Sequence, residues 1–300
     1  MVNKKTKGII FSIISAFLYA LNVLVLKYFL ERVSSIELLF LLYLGSVIGI
    51  LLIGIVKNKK KVIVKPTKKV IPFIFCIILC DVMSNFLIIE ALKYLNASTV
   101  SLLSVLETAT TIFISFIIFK NRINKNLILS LIFVTLGGIL LSINSAIKID
   151  FSFASVLVIL ATILWGLKNN LTEKISDKNP LLLVFYSCLV IMIFNLLHIL
   201  KNTNIISLIL NNWYLLIIGF FTYGVSILYF VYGTNFLGAS KTSIINSLSP
   251  LFSTFLSIII FKDKINFLFI LSMFFMSLGI YYTIYDIRKN NSKRLMNKVE

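Results

Sequence analysis

The residues with chemical potential in this chain are few and sit in apolar surroundings. Two carboxylates, Asp81 and Glu107, the ammonium of Lys168, the amides of Asn22 and Asn246 and the phenol of Tyr223 each fall within a long hydrophobic stretch. A carboxylate left charged in lipid costs several kcal/mol, so Asp81 and Glu107 must face protein or water, find a donor, or take a proton. Such acids can couple protonation to movement or hold a substrate amine; a static polar network is the competing role. Ser84 and Asn85 share the turn next to Asp81, while Glu90 lies nearer the boundary of its stretch. Lys168 can pair with a carboxylate of protein or substrate, or snorkel to the interface.

A polar stripe runs beside Glu107. Ser101, Ser104, Thr108, Thr111 and Ser115 recur at spacings of three or four, which places them on one helical face. They can line a passage, pack helices closely, or bond their own backbone. Tyr223, with Ser226, Tyr229 and Tyr232, offers hydroxyls and aromatic surface to an amphiphilic pocket, although Tyr232, Trp213, Tyr281 and Tyr282 also suit the membrane interface. His198 lies near a stretch end. Cys76, Cys80 and Cys188 are apolar-segment cysteines whose odd number and spacing suggest neither a disulfide framework nor a zinc site. No paired nucleophile and base stands out, which argues against an enzyme, and no cofactor or metal is implied.

The elements that must hold these groups follow from composition. The chain has 300 residues, 59 % hydrophobic and 13 % charged, with mean hydropathy +1.01. That is too apolar for a water-soluble core. Ten stretches of about 20 residues, the length that crosses the hydrocarbon as a helix, run near Gly8–Phe29, Ile36–Val56, Val70–Leu92, Ser98–Phe119, Leu127–Ile147, Phe151–Leu171, Leu181–Leu200, Trp213–Tyr232, Ser240–Phe261 and Phe267–Ile284. Continuous apolarity excludes the alternating strands of a barrel. An all-alpha polytopic membrane protein with ten transmembrane helices is expected, the first span being retained rather than cleaved as a signal peptide.

The net charge of +18 would suggest nucleic acid in a soluble protein. Here the basic residues lie in short connectors and at the ends. Lys and Arg number three in the amino-terminal tail, seven at Lys57–Lys69, three in the fourth connector, two in the sixth and five in the carboxyl-terminal tail, against one or two in connectors on the other side. Both termini are therefore expected in the cytoplasm, with lipid headgroups rather than nucleic acid as the charged partner.

The chain also repeats. At an offset of 142 residues, Ala97 and Ser98 fall on Ala239 and Ser240, Phe119 and Lys120 on Phe261 and Lys262, Ile123 and Asn124 on Ile265 and Asn266, and Gly137 on Gly279. The stripe maps onto Ser243, Asn246, Pro250, Ser253 and Ser257, and Tyr223 takes the position of Asp81. An offset of 146 sets Tyr19 and Asn22 beside Trp165 and Lys168. Two halves, 1–147 and 148–300, of five spans each would have opposite orientation, because five is odd. Inverted repeats suit alternating access around a midplane site.

The stretch ALKYLNASTVSLLSVLETATTIFISFIIFKNRI and its counterpart GTNFLGASKTSIINSLSPLFSTFLSIIIFKDKI, set in two five-helix halves, resemble EamA-type permeases of the drug/metabolite transporter superfamily over nearly the whole chain. Pro250 and Asp263-Lys264 match the family pattern in the second copy, whereas Glu107-Thr108 and Asn121-Arg122 depart from it in the first. The resemblance implies a secondary carrier in the cell membrane for a small metabolite, amino-acid-like or amine-containing, often exported, with proton coupling through Asp81 or Glu107 as an option. It also implies a pathway among spans one, three, four, six, eight and nine, supported by five and ten. Asn22, Asp81, Glu107, Lys168, Tyr223 and Asn246 are the candidate substrate-binding or coupling groups. A channel for a small polar solute is the alternative, and a functional monomer is the economical expectation.

Overall fold

The computed structural model describes residues 4–29, 32–56, 67–95, 100, 103–143, 153–200, 204–261 and 267–296. Most of the basic cluster at Lys57–Lys69, the matched positions Ala97, Ser98, Ser101, Lys262, Asp263, Lys264, Ile265 and Asn266, and the boundary between the expected halves lie outside the described residues.

The described chain is helical. The helices are α1 (Lys4–Phe29), α2 (Ser35–Val56), α3 (Ile71–Leu92), α4 (Leu106–Ile117), α5 (Lys125–Ile143), α6 (Phe153–Ile175), α7 (Pro180–Ile199) and a short α8 (Ile205–Asn211). They continue with α9 (Tyr214–Leu237), α10 (Ala239–Asn246), α11 (Ser249–Phe261) and α12 (Phe267–Met296). Local chemistry sets several of the starts. Ser34 and Glu37 form a reciprocal capping box at α2: the Ser34 N–H donates to Glu37 Oε2 at 3.2 Å and the Glu37 N–H to Ser34 Oγ at 3.4 Å. Asn179 caps α7 by accepting from the Leu182 N–H at 3.3 Å, and Pro180 takes the first helical position, where no N–H is needed. Gly238, at φ +87°, separates α9 from α10 in a conformation that favours glycine.

Seven helices among the described residues are long and apolar enough to cross a membrane: those over Ser35–Val56, Ile71–Ile88, Phe153–Ile175, Pro180–Ile199, Tyr214–Leu237, Ala239–Ile260 and Phe267–Lys289. The helix at the fourth expected span is only 12 residues long, preceded by helical Leu103 and Ser104 and a turn at Val105. The ninth breaks at Ser247 and Leu248 into α10 and α11. Val105 and Ser247 are 142 residues apart, so the two breaks fall in register. Two further features escaped the hydrophobic pattern: the seven-residue α8 and a π-helical turn at Phe220–Val225 inside α9. Apolarity averaged along a stretch reports neither hydrogen-bond register nor a break of one or two residues within it.

The molecule is apolar outside and polar within. Phe113, Phe116 and Ile117 of α4 and Phe267, Ile270 and Phe274 of α12 are exposed, whereas Ser46, Ser84, Thr111, Ser130, Thr162, Asn170, Ser272 and Thr283 are buried. This suits lipid as the surrounding solvent. Helix α5 packs on α12 and α2 on α7; α3 packs on α6 as α1 does on α9, α4 on α6 as α1 does on α11, and α3 on α7 as α2 does on α9. An apolar core built on Leu38, Leu41, Leu42, Val184 and Leu215 joins α2, α7 and α9.

Lipid tails are as apolar as leucine, so close backbone approach matters more than burial in holding such helices together. A methyl on Gly137 would lie 2.6 Å from Met276 Cγ and 3.0 Å from the Ser272 carbonyl oxygen, and one on Gly279 would lie 2.5 Å from Val134 Cγ2 and 2.9 Å from the Ser130 carbonyl oxygen. Each glycine meets the repeat equivalents of the other's neighbours, so both are positions of close helix packing. Between α2 and α9, Gly45 faces the Leu216 backbone and Gly219 the Leu42 backbone, and Ser46 Oγ donates to the Gly219 carbonyl at 2.9 Å. Gly45→Ala or Gly219→Ala should destabilise the protein by about 1–3 kcal/mol through helix separation. Gly224→Ala, whose new methyl would lie 3.3 Å from Ser46 Cα, should stay within about 1 kcal/mol of the parent. Unfolding in mixed detergent measures the difference.

Candidate functional site

Helix α6 organises the polar interior. Lys168 and Asn169 are consecutive, so their side chains diverge by about 100° around the helix and address different neighbours. Lys168 Nζ donates to Asp81 Oδ1 of α3 at 2.6 Å, with the Asp81 side chain 7 % exposed and that of Lys168 24 %. Of the two roles open to this lysine, the structure shows the ion pair. Asn169 Nδ2 donates to Glu107 Oε1 of α4 at 2.9 Å and reaches Thr111 Oγ1 at 3.2 Å and Ser243 Oγ of α10 at 3.5 Å. Asn170 Nδ2 donates to the Thr111 carbonyl at 2.9 Å. Gly166 permits this fit, since a methyl there would lie 2.8 Å from the Thr111 backbone nitrogen.

A second pair faces the first. Asn22 Nδ2 of α1 donates to Tyr223 Oη of α9 at 2.9 Å, and the Tyr223 ring lies against that of Tyr43 with centroids 4.5 Å apart. Tyr223 stands on the π-helical turn, a distortion often found where a helix positions a functional side chain. The Asn22 Oδ1 acceptor is buried and has no hydrogen-bond donor among the described residues. Asp81 lies within electrostatic reach of Tyr19, Tyr43 and Tyr223, and Glu107 within reach of Tyr19. Tyr19 nevertheless exposes 42 % of its surface.

Five of the six candidate residues thus form one neighbourhood, joined by Asp81–Lys168, Glu107–Asn169 and Asn22–Tyr223. Asn246 sits at its edge, where its Oδ1 accepts from Ser15 Oγ of α1 at 3.3 Å. The stripe on α4 is largely buried in helix contacts: Thr108 and Ser247 hydroxyls are 2.6 Å apart, Thr111 Oγ1 donates to the Glu107 carbonyl at 2.8 Å, and Ser115 Oγ accepts from Asn121 at 2.8 Å. Ser84 and Asn85 bond the Asp81 carbonyl, at 2.9 and 2.7 Å, rather than its carboxylate. Tyr229 and Tyr232 pack on Phe11 of α1, with centroids 5.1 and 5.7 Å away, and Ser226 Oγ donates to the Ser15 carbonyl at 3.0 Å. These three belong to the α1–α9 contact. Glu90 pairs with Lys93 at 2.6 Å and His198 is exposed.

Sequence reasoning gave Tyr19 only a supporting place and missed Tyr43 and Asn169. Asn169 had a signal, since Lys168-Asn169-Asn170 interrupts an otherwise apolar span. Tyr43 had none, because one tyrosine in a hydrophobic helix is unremarkable until its neighbour is known. Among the described residues no cluster of histidine, cysteine or acidic side chains could hold a metal ion.

A family model described as the EamA-like transporter family matches residues 6–143 and 152–285. No curated protein matches the chain significantly. A protein of known crystal structure superposes with TM-score 0.81 over 94 % of this chain and 97 % of its own, at 13 % identity, a likeness in fold. Lys168→Met should leave Asp81 as an unpaired buried acid and cost roughly 3 kcal/mol, with most of the loss recovered in Lys168→Met/Asp81→Asn. A double-mutant cycle on detergent unfolding checks this.

Proposed function

This chain belongs to the EamA-like transporter family, and from that premise we propose that it moves a small amino-acid-like or amine-containing metabolite outward by alternating access, with proton coupling at the central acids. Secondary transport of a small molecule across a membrane follows from the family; substrate class, direction and coupling are our reading. The observation that carries it is the Asp81–Lys168 pair beside Glu107 and Asn169. A substrate carboxylate can compete with Asp81 for Lys168, and a substrate ammonium can take Asp81, Glu107 or the open Asn22 Oδ1 acceptor. A proton on Asp81 would release Lys168 from the same bond, so protonation and substrate binding can exchange for one another. Asn22, Tyr223 and Asn246 then serve to position cargo between α1, α9 and α10.

Ten spans in two inverted halves, 1–147 and 148–300, are part of this proposal. The paired contacts between helices, the breaks in register at Val105 and Ser247 and the reciprocal Gly137 and Gly279 contacts support it. The charge bias of the connectors supports a cytoplasmic position for both termini. The site draws on one chain, consistent with a functional monomer.

Reconstitution in proteoliposomes with a panel of labelled amino acids and amines provides the test. Flux should saturate with concentration and respond to an imposed pH gradient. In Asp81→Asn the response to the gradient should disappear, and in Lys168→Met flux should fall at least tenfold. Saturable flux that ignores the gradient removes proton coupling, and flux rising linearly with concentration replaces the carrier with a channel.

A further inference from the structure

A second buried cluster of charge lies away from the central site, at the end of the bundle where α1 starts. The start of α1 meets the later part of α12 there, as Lys5 Nζ donates to the Ile287 carbonyl at 3.5 Å. There Asp286 of α12, 1 % exposed, pairs with Lys241 Nζ of α10 at 2.6 Å and accepts a hydrogen bond from the Asn124 side-chain amide. Asn124 is itself fixed, because its Oδ1 accepts the Leu127 N–H at the start of α5 at 2.9 Å. Next to this pair, Glu173 Oε2 of α6 accepts the Ala239 N–H, the first of α10, at 2.8 Å. A carboxylate in that position also complements the positive end of the helix dipole.

Both ties grip the same eight-residue helix. Helix α10 is bounded by Gly238, at φ +87°, and by the break at Ser247 and Leu248, so each end can turn without unwinding a longer helix. Its other end reaches the central site through Ser243 to Asn169 and through Asn246 to Ser15. One short segment therefore touches the charge cluster and the candidate substrate groups. The repeat does not reproduce the cluster: in the offsets of 142 and 146, Lys241 and Asp286 correspond to Thr99 and Asn144, and Glu173 to Lys27. The sequence places no equivalent ion pair at the opposite end.

We propose that α10 is a hinged gate at the end of the bundle where α1 starts, latched shut by the Lys241–Asp286 ion pair and by Glu173 on its first N–H. Movement of Asn169 or Asn246 as cargo binds pulls on α10 from its inner end, and release of the latch opens the site toward that end. Because the repeat-equivalent positions carry no such ion pair, the resting conformation is biased toward closure at this end. The gate rests on the transporter reading above, but its test needs no substrate.

In a background of Cys76→Ser, Cys80→Ala and Cys188→Ala, Ser243→Cys reports access to the inner face of α10. A membrane-impermeant thiol reagent is applied from the side where α1 starts, and the labelling rate is measured with the elution profile of the purified protein. Labelling should be slow with the latch intact and rise at least tenfold in Asp286→Asn and in Lys241→Met. The exchanged pair Lys241→Asp/Asp286→Lys should return it to within about threefold of the starting rate. Equal rates in all of these, or an exchanged pair as fast as the single variants, would overturn the latch. Should Asp286→Asn fail to fold, Glu173→Ala reads the same gate through its other tie and must also accelerate labelling. Absent flux with this labelling pattern intact removes the transporter reading and leaves the latch; normal flux with unchanged labelling does the reverse.

Discussion

The ion pair between Asp81 and Lys168 is the constraint around which the rest of the molecule is arranged. Neither charge is tolerable alone in a membrane interior, and their mutual attraction offsets the desolvation only when both are held in place. Holding them requires α3 and α6 to pack along their length. It also turns the next residue, Asn169, toward α4 and α10, where it meets Glu107 and Ser243. A single polar turn of α6 thereby fixes the relative positions of three other helices.

Around that turn, the helices divide into two kinds. Those supplying the polar groups, α1, α3, α4, α6, α9 and α10, bear buried hydroxyls and amides, many of them bonded to their own backbone four residues earlier. Such bonds satisfy a hydroxyl in an apolar surrounding without tying one helix to another. The remaining contacts are made by shape. Gly137 and Gly279 bring α5 and α12 together, and Gly45 and Gly219 bring α2 against α9.

The charge distribution follows the same division. Most lysines and arginines lie in the connectors and at the ends of the chain. Within the bundle the described ion pairs are Asp81–Lys168 and Lys241–Asp286, each at 2.6 Å. One lies among the candidate substrate groups and the other at the end where α1 starts, with α10 in contact with both neighbourhoods.

The sequence by itself determined that the chain is helical, that it lies in a membrane, roughly where the long helices lie, and which polar residues would be costly enough there to require a partner. Those properties depend on composition and on periodicity within single segments, which neighbours do not alter. It also showed matched residues at an offset of 142, polar connector positions among them. Which partner each polar residue takes was decided by tertiary structure alone. Lys168 could snorkel or pair from any local reading, and Asp286 and Lys241 are 45 residues apart in the chain and 2.6 Å apart in space. The energy that settles such choices comes from desolvation and helix approach in three dimensions, and no spacing along one helix carries it.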